Sequence, residues 1–534
     1  MKSTLIKLMM CLAAAGLTAF AQDSVDYRYH VPFPSTKNVA TRDWQYLLEM
    51  VPLEDGAFRV QVFQYDIQGN VVNNAAATEQ ASGTVYRWDS NTDSQSLRLR
   101  SLEIVSSLPM SGVFWMWNDV HGQVNAMRVA SAESSSTVIP YLPDISEDET
   151  TTFSVLGTSA QPLQADISFS FYNVDRSLGT TSLVRQAWPR NGYLVLTPGR
   201  TLSLDGLEED ASATWGRLSA GSADYLLAGF QTLTQENVFG DRGLSQTSAF
   251  ELGDTAKSDG YLVFEGLSDS LLFDESAPAG YNDRFEVTNT HGQDVEIVFE
   301  LVVLGTPAEE GASAWREIEQ KYVLKPFEQR RFDLGIDLFA ENTGSPVRLS
   351  YHASSIGEEA APMPVHVLHI QEGLGEAKMG AHYFSDAGKE IATWISLDRD
   401  FDTYLHVGSL DREYEIPPEQ PNLEPVFVRE ETEIRVQLFH RDKMFFNQLF
   451  ALGPDKVLSV FNSTQLRELI GEKPFSAEVD AIRVRIFTTD ENPNSAGNLL
   501  IAKMVTFWEN DLALVNPMIF TPDLGLTADE ESAE

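Results

Sequence analysis

Apolar and polar residues alternate at period two in short runs along the chain. The clearest runs occupy residues 58–62, 165–171, 295–299 and 434–438. Successive side chains of a strand point to opposite faces, so this alternation indicates strands with one buried face. Clusters of Gly, Asn, Asp and Ser separate the runs, as turns do. Because half-buried strands are covered when two sheets face each other, the pattern predicts an all-β chain of tandem β-sandwich modules.

A Leu-x-Pro triplet follows an apolar run at three places. The triplets begin at Leu196, Leu324 and Leu452, and both intervals are 128 residues. Proline fixes φ and lacks an N–H group, which suits a turn or the open edge of a strand. Equal spacing of this kind predicts one module that was duplicated in tandem. The first module has the sequence Leu-Arg-Leu at residues 97–99 instead, so it is the least faithful copy.

The repeated pattern divides the chain into six segments. They are a signal peptide at residues 1–21, β-sandwich modules at 22–137, 138–259, 260–380 and 381–523, and an acidic tail at 524–534 that we expect to be disordered. Few helices are expected, all of them short and in loops. The helical periods of residues 312–321 and 464–472 make these the best candidates.

The first residues have the features of an export signal. Lys2 and Lys7 precede an apolar stretch, and residues 19–21 have the small-x-small pattern of a cleavage site. The only cysteine, Cys11, lies in this leader, so the mature chain has no thiol for a disulfide, a metal site or a nucleophile. Lipidation at Cys11 is the minor alternative, because the preceding Met10 suits it poorly. We expect an exported protein, located outside the cell, at its surface or in the periplasm.

The chain is strongly acidic. Its 78 Asp and Glu residues against 38 Lys and Arg residues give a net charge of −40, which becomes −42 when the two lysines of the leader are removed. Such a field repels nucleic acid and anionic lipid, so neither is an expected partner. No later stretch reaches the roughly 20 apolar residues of a membrane span, and insertion into a membrane is not expected. Solubility is the simplest reason for the charge, and binding of divalent cations or a basic partner is the alternative.

Sequence motifs of several large enzyme classes are absent. The chain contains no Gly-x-Ser-x-Gly turn, no phosphate-binding Gly-rich loop and no His-Glu-x-x-His zinc helix. A catalytic triad assembled from distant loops stays open, because triads are defined by geometry. The sequence therefore favours a protein without catalytic activity and leaves a secreted hydrolase as the competing class.

Two tryptophans are the ligand-binding candidates. Trp115 and Trp117 share one face of a predicted strand, while Phe114 and Met116 share the other. Two indoles side by side would make a flat platform on which sugar rings stack. Both faces of this strand are apolar, however, so burial between two layers is the favoured interpretation.

Three histidines are considered as zinc ligands. His366, His369 and His382 lie close in sequence, with Glu372 and Asp386 nearby, and imidazole with carboxylate is zinc chemistry. His366 and His369 are three residues apart on a predicted strand, so their side chains point to opposite faces. Ordinary strand histidines are therefore favoured over a metal site.

An acidic cluster is considered as a calcium site. Asp398, Asp400 and Asp402 alternate as oxygen ligands of Ca²⁺ do. The glycine and the glutamate that complete the helix-loop-helix calcium site do not follow, and aspartate is also a common turn residue. No cofactor is expected, and calcium is the alternative.

The module openings carry a resemblance. Residues 30–34 with Trp44 and residues 58–65 form a short aromatic-Pro strand, an aromatic residue and an alternating strand, and residues 193–204 contain the Leu-x-Pro turn of the second copy. This arrangement resembles bacterial exported β-sandwich repeats of the immunoglobulin-like and fibronectin-like kind. The resemblance implies a scaffold or binding role and transfers no catalytic residue.

These observations lead to three functional hypotheses. The first is an exported, non-catalytic repeat protein with a surface binding, adhesion or scaffold role, whose partner is a glycan or an extracellular protein. The second is a secreted hydrolase that acts on polysaccharide or peptide in a groove between modules. The third is a calcium-stabilised envelope component.

Overall fold

The computed structural model describes the strands and the shorter connections of the chain. The described residues are 26–33, 44–66, 68–90, 99–118, 123–129, 136–139, 149–158, 166–182, 192–196, 214–235, 246–252, 256–264, 268–270, 281–304, 315–338, 345–357, 360–373, 379–397, 401–410, 414–416, 426–428, 432–441, 443–453, 457–471, 481–489, 499–508, 511–515 and 519–521. Apart from helix α1 (Ser463–Gly471) and a π-helical turn at Leu334–Leu338, the regular elements of these residues are strands, and the predicted all-β fold is confirmed. None of the helices found here is long and apolar enough to cross a bilayer.

Sandwich 1 is formed by the first nine of the described strands. They are β1 (Tyr27–Pro32), β2 (Trp44–Pro52), β3 (Phe58–Tyr65), β4 (Val71–Asn74), β5 (Thr78–Gln80), β6 (Tyr86–Asp89), β7 (Ser101–Ser106), β8 (Met110–Asn118) and β9 (Gln123–Val129). One sheet has the order β1-β7-β3-β4, with β5 also paired to β3, and the other has the order β6-β2-β8-β9. Phe58 and Ile104 of the first sheet share a buried core with Leu48 and Phe114 of the second.

Sandwich 2 follows with eight of the described strands. They are β10 (Ser136–Ile139), β11 (Glu149–Thr158), β12 (Ile167–Asn173), β13 (Arg176–Ser182), β14 (Gly192–Leu196), β15 (Trp215–Ala220), β16 (Leu226–Gln235) and β17 (Gln246–Leu252). The sheets have the orders β10-β15-β12-β13 and β14-β11-β16-β17. The rings of Phe153 and Phe169, one from each sheet, are 6.2 Å apart in the core.

Sandwich 3 has the same construction. Its strands are β18 (Asp259–Val263), β20 (Tyr281–Thr288), β21 (Val295–Leu304), β22 (Trp315–Leu324), β23 (Gln329–Asp333), β24 (Ser345–Ser355), β25 (His366–Gly373) and β26 (Met379–Tyr383), with β19 (Ser268–Ser270) between the first two in the chain. The sheets have the orders β18-β24-β21-β22 and β23-β20-β25-β26. Phe285, Phe299 and Phe332 lie in the core between them.

Sandwich 4 contains the last of the described strands. They are β27 (Glu390–Ser396), β28 (Asp402–Leu410), β31 (Thr432–His440), β32 (Lys443–Leu452), β33 (Val457–Asn462), β34 (Ala481–Thr488), β35 (Leu499–Trp508), β36 (Asp511–Val515) and β37 (Ile519–Thr521), and β29 (Tyr414–Ile416) pairs with β30 (Val426–Val428) in a separate hairpin. The sheets have the orders β32-β31-β34-β27-β37 and β19-β33-β28-β35-β36. Strand β19 therefore leaves sandwich 3 and pairs in parallel with β33 of sandwich 4.

One strand order recurs in all four sandwiches. The alternating runs predicted from the sequence lie in β3, β21 and β31, and the run at 165–171 lies in β12 from Ile167 onwards. Each of these four strands is the strand next to one edge of its sheet. The last strands of the other sheets, β9, β17, β26 and β36, lie against one another: β9 contacts β17 and β36, and β26 contacts the same two strands. The four sandwiches therefore meet along these four strands in a closed cycle.

Two sequence predictions turn out differently. The helix expected at residues 312–321 is wrong, because this segment forms most of strand β22, whereas the helix expected at residues 464–472 is confirmed as α1. Leu324 and Leu452 end the edge strands β22 and β32, but Leu196 ends β14, which belongs to the other kind of sheet. The interval from Leu196 to Leu324 therefore does not connect equivalent positions.

Candidate functional site

A buried carboxylate joins the first sandwich to the last. Glu49 lies on β2 in the face that points away from the core of sandwich 1, and its side chain is fully buried. It accepts hydrogen bonds from Trp115 Nε1 at 3.0 Å, from Trp394 Nε1 at 3.4 Å and from Ser396 Oγ at 2.9 Å. Arg87 Nε is 3.2 Å from Glu49 Oε1 and forms an ion pair with it. Trp394 and Ser396 belong to β27, so Glu49 connects two sandwiches that are far apart in sequence.

The surroundings of Glu49 shift its protonation. Burial raises the pKa of the Glu49 carboxyl, and the charge of Arg87 and the three hydrogen bonds oppose this effect without cancelling it. A buried carboxylate is stable only when it is paired and hydrogen-bonded, and Glu49 has both kinds of partner.

The two tryptophans predicted as a ligand platform lie in this same contact. Trp115 and Trp117 are 2% and 0% exposed, and their rings are 5.6 Å and 6.0 Å from the ring of Phe401 of sandwich 4. Sandwich 4 thus covers the outer face of β8, and the core-facing Phe114 and Met116 are buried as well. A ligand role for the tryptophans stays a prediction, and it would require sandwiches 1 and 4 to separate.

A second buried polar group lies at the end of sandwich 3. His369 Nε2 is 2.7 Å from Asp283 Oδ1, and His369 Nδ1 is 2.9 Å from His382 Nε2, so the three side chains form a hydrogen-bonded chain across β20, β25 and β26. Phe285 stacks on His369 with a centroid distance of 5.2 Å. His369 is fully buried, and Asp283 and His382 are nearly so.

Sandwich 4 contributes a buried lysine to this group. Lys503 on β35 is 1% exposed and donates a hydrogen bond from Nζ to Gln371 Oε1 at 3.3 Å. Gln371 lies opposite Asp283 in the β20–β25 pair. Burial raises the pKa of Asp283 to about 6, although the positive charge of Lys503 opposes the shift. Burial also lowers the pKa of His382 well below its usual value, with smaller contributions from His369 and Lys503.

The structure brings together only part of the predicted zinc group. His369 and His382 are in contact, whereas Asp386 pairs with Lys257 at 2.7 Å. Burial and the nearby Arg217 and His291 lower the pKa of His366 to about 3. Within the described residues, no group of three or more His, Cys, Asp or Glu side chains is arranged to hold a metal ion. The side chain of Glu372 is outside the described part.

The predicted calcium residues are largely outside the described residues. Asp398 and Asp400 are not described. Asp402 begins β28, where Tyr404 donates a hydrogen bond to Asp402 Oδ2 at 2.9 Å and Ser463 donates one to Oδ1 at 3.4 Å. The calcium site stays a prediction.

Sequence reasoning missed the residues that hold the sandwiches together. Glu49 and Lys503 are each the single charged residue of a largely apolar strand, and this exception to the pattern is the signal that would have identified them. No family model matches the chain, and no curated protein matches it. The buried groups around Glu49 and Asp283 can do two things chemically. They hold neighbouring sandwiches together, and their carboxyl and imidazole groups bind or release protons as the pH changes.

Proposed function

We propose that this chain is an exported, non-catalytic scaffold of four tandem β-sandwich modules that binds a glycan or an extracellular protein through its outer surface. The observation that carries the proposal is the contact of Glu49 in sandwich 1 with Trp394 and Ser396 in sandwich 4. Because these sandwiches are the first and the last along the chain, the contact ties the two ends of the array together.

Polar contacts also join the other neighbours. His30 of sandwich 1 is 3.3 Å from Thr158 of sandwich 2, and Trp215 of sandwich 2 donates a hydrogen bond to the backbone oxygen of Phe327 in sandwich 3 at 2.8 Å. Lys503 connects sandwich 4 to sandwich 3 as described above. Buried polar contacts select one arrangement among those that apolar packing would allow. A rigid array that presents a constant surface is suited to a scaffold.

The recurring strand order supports an origin by duplication. The two sheets of each sandwich repeat the same order of strands, which is the expected result when one unit is copied in tandem. The resemblance of the module openings to immunoglobulin-like and fibronectin-like repeats supports a binding role by analogy of fold. The net charge of −42 that remains after the leader is removed favours neutral glycans or partners with a basic face.

The proposal is tested by binding measurements on the mature chain. We expect the wild-type chain, residues 22–534, to bind at least one ligand on an array of glycans and extracellular proteins. The Glu49→Ala variant should bind this ligand more weakly, because sandwiches 1 and 4 lose a contact that fixes their relative position and so the surface they form together. Glu54 follows the end of β2 and is exposed to solvent. Glu54→Ala is therefore the matched control, and its binding should be unchanged.

Other results would contradict the proposal. Release of sugars or peptides from a panel of polysaccharides and proteins would favour the hydrolase. A thermal unfolding midpoint that rises with added calcium would favour the calcium-stabilised envelope component. Absence of binding to every arrayed ligand would remove the binding role and leave a structural one.

A further inference from the structure

Strand β32 is an edge strand with unusual composition. It ends the sheet β32-β31-β34-β27-β37, and within the described residues it pairs only with β31. Its ten residues, KMFFNQLFAL, contain one charged side chain, that of Lys443 at the first position. An edge strand offers unpaired N–H and C=O groups to any extended chain, and proteins usually protect such edges with charges, bulges or short length.

The equivalent edge in sandwich 3 has this protection. Strand β22 carries alternating charges, with Glu317, Glu319 and Lys321 exposed. Strand β4 of sandwich 1 has only four residues. Strand β32 has a bulge at its beginning, where the register with β31 shifts next to Phe445, but the pairing is regular from Phe446 to Leu452. The regular part of this edge is therefore long and uncharged, and among the described residues no strand pairs with its outer side.

The two faces of β32 differ in a way that fits a symmetrical pairing. Phe446 and Phe450 face the core, with their rings 6.4 Å apart, and both remain partly exposed at the edge of the sheet. Asn447 and Leu449 point to the opposite face, and Leu449 is 41% exposed. Gln448 is the centre of the five residues from Phe446 to Phe450. One phenylalanine therefore lies two residues before Gln448 and the other lies two residues after it.

We propose that two copies of this chain associate through β32, which pairs antiparallel with β32 of the second copy. Gln448 would lie opposite Gln448 of the second copy, Phe446 opposite Phe450, and Asn447 opposite Leu449. Paired residues then lie on the same face of the joined sheet, as an antiparallel ladder requires. The half-covered phenylalanines of each core edge are thereby covered by those of the other copy.

The charge distribution favours a second copy as the occupant. A chain with a net charge of −42 after removal of the leader repels its own copies over most of its surface. The strip from Phe446 to Phe450 has no charge, and antiparallel pairing places the two Lys443 side chains at opposite ends of the joined strands. The strip itself therefore adds no charge repulsion to the pairing, and the charged side chain beside it is Arg435 of β31, which donates a hydrogen bond to Asn447 Oδ1 at 3.4 Å. A twofold axis through Gln448 pairs the residues before Gln448 in one copy with the residues after Gln448 in the other. The same surface of each copy therefore forms both sides of the interface.

The experiment uses charge reversal within the proposed register. Sedimentation equilibrium of the mature wild-type chain should show a dimer. The double variant Asn447→Lys with Leu449→Lys should be a monomer, because each new lysine lies opposite one of the second copy. The double variant Asn447→Glu with Leu449→Glu should be a monomer for the same reason. Mixing the two variants should restore a dimer that contains one copy of each, which mass analysis of affinity-tagged mixtures detects.

Control variants separate this edge from general effects of charge. Val323→Lys on β22 places a lysine on an edge that is already charged, where Val323 is 46% exposed, and it should leave the dimer unchanged. A wild-type chain that is monomeric at every concentration reached would overturn the proposal. Dimers that persist in both charged variants would also overturn it, because another surface would then hold the copies together. The proposal is independent of the proposed function, since a monomer could still bind a glycan.

Discussion

Trp394 donates a hydrogen bond from Nε1 to Glu49 Oε2 at 3.4 Å across 345 residues of sequence. Trp115 donates to the same oxygen from within sandwich 1 at 3.0 Å, so two indoles from different sandwiches share one carboxylate oxygen. The carboxylate is fully buried, and its second oxygen contacts Ser396 and Arg87. The contact between sandwiches 1 and 4 therefore depends on a carboxylate in which both oxygens have polar partners.

The first prediction concerns the removal of this carboxylate. Glu49→Ala leaves the buried donors of Trp115, Trp394 and Ser396 without their acceptor, and we expect a loss of about 3–5 kcal/mol in the free energy of unfolding. Urea titration followed by tryptophan fluorescence measures the loss, and Glu54→Ala should change the midpoint little because Glu54 is exposed. An unchanged midpoint for Glu49→Ala would show that the two sandwiches do not rely on this contact.

The second prediction is that Asp283 destabilises the fold as the pH rises. Its pKa is about 6 in the folded chain against a usual value of 3.8, so the folded state binds the proton more tightly than the unfolded state does. Stability contributed by the protonated carboxyl is therefore present below pH 4 and is lost between about pH 4 and 6, by up to about 3 kcal/mol. Unfolding midpoints of wild type and Asp283→Asn, measured from pH 4 to 7, should diverge over this interval. Parallel pH curves would contradict the expectation.

The third prediction has the opposite sign. The pKa of His366 is about 3 in the folded chain against a usual value of 6.5, so the unfolded state takes up the proton first. The stabilising contribution of the neutral imidazole is present above pH 6.5 and is lost as the pH falls towards 3, by up to about 5 kcal/mol. His366→Gln cannot be protonated and should show a weaker loss of stability in acid than wild type. Exposed His352→Gln is the control, because 53% of that side chain is accessible.

The fourth prediction concerns a close approach in sandwich 2. A Cβ atom added at Gly216 would lie 2.3 Å from Cζ of Phe169, which is fully buried between the sheets. We expect Gly216→Ala to cost about 1–3 kcal/mol, since the ring has to move within a packed core. Gly335→Ala is the control, because a Cβ atom there meets nothing within 4 Å. Equal unfolding midpoints of the two variants would contradict the packing described here.

Local patterns predicted the strands well where the apolar residues fit only the strand period of two. They failed where the apolar residues fit both the strand period and the helix period of about 3.6. The alternating run at residues 434–438 lies in β31, whose inward residues Ile434, Val436 and Leu438 are all buried. In β22, Ile318 and Tyr322 are four residues apart and both pack against the core. A spacing of four fits one face of a helix and one face of a strand, so only the pairing of β22 with β21 decides between them.

The candidate site was predicted only where its members are neighbours in sequence. His369 and His382 lie opposite each other on adjacent strands of one sheet, and their closeness along the chain made them a visible group. Asp283 lies 86 residues before His369, and Lys503 lies 132 residues after Gln371. Nothing in the residues around Asp283 or Lys503 indicates which partner each will meet.

The sequence by itself determined that this chain forms strands with one apolar face, because the direction of successive side chains is a local property of the backbone. It also determined the acidic character of the chain and the absence of cysteine after Cys11. The two apolar faces of the strand already favoured burial of Trp115 and Trp117. Only the tertiary structure decided that the layer covering them belongs to sandwich 4, and that Glu49 meets Trp394. Burial of an outward face depends on which surface is placed against it, and that placement arises from contacts between residues hundreds of positions apart.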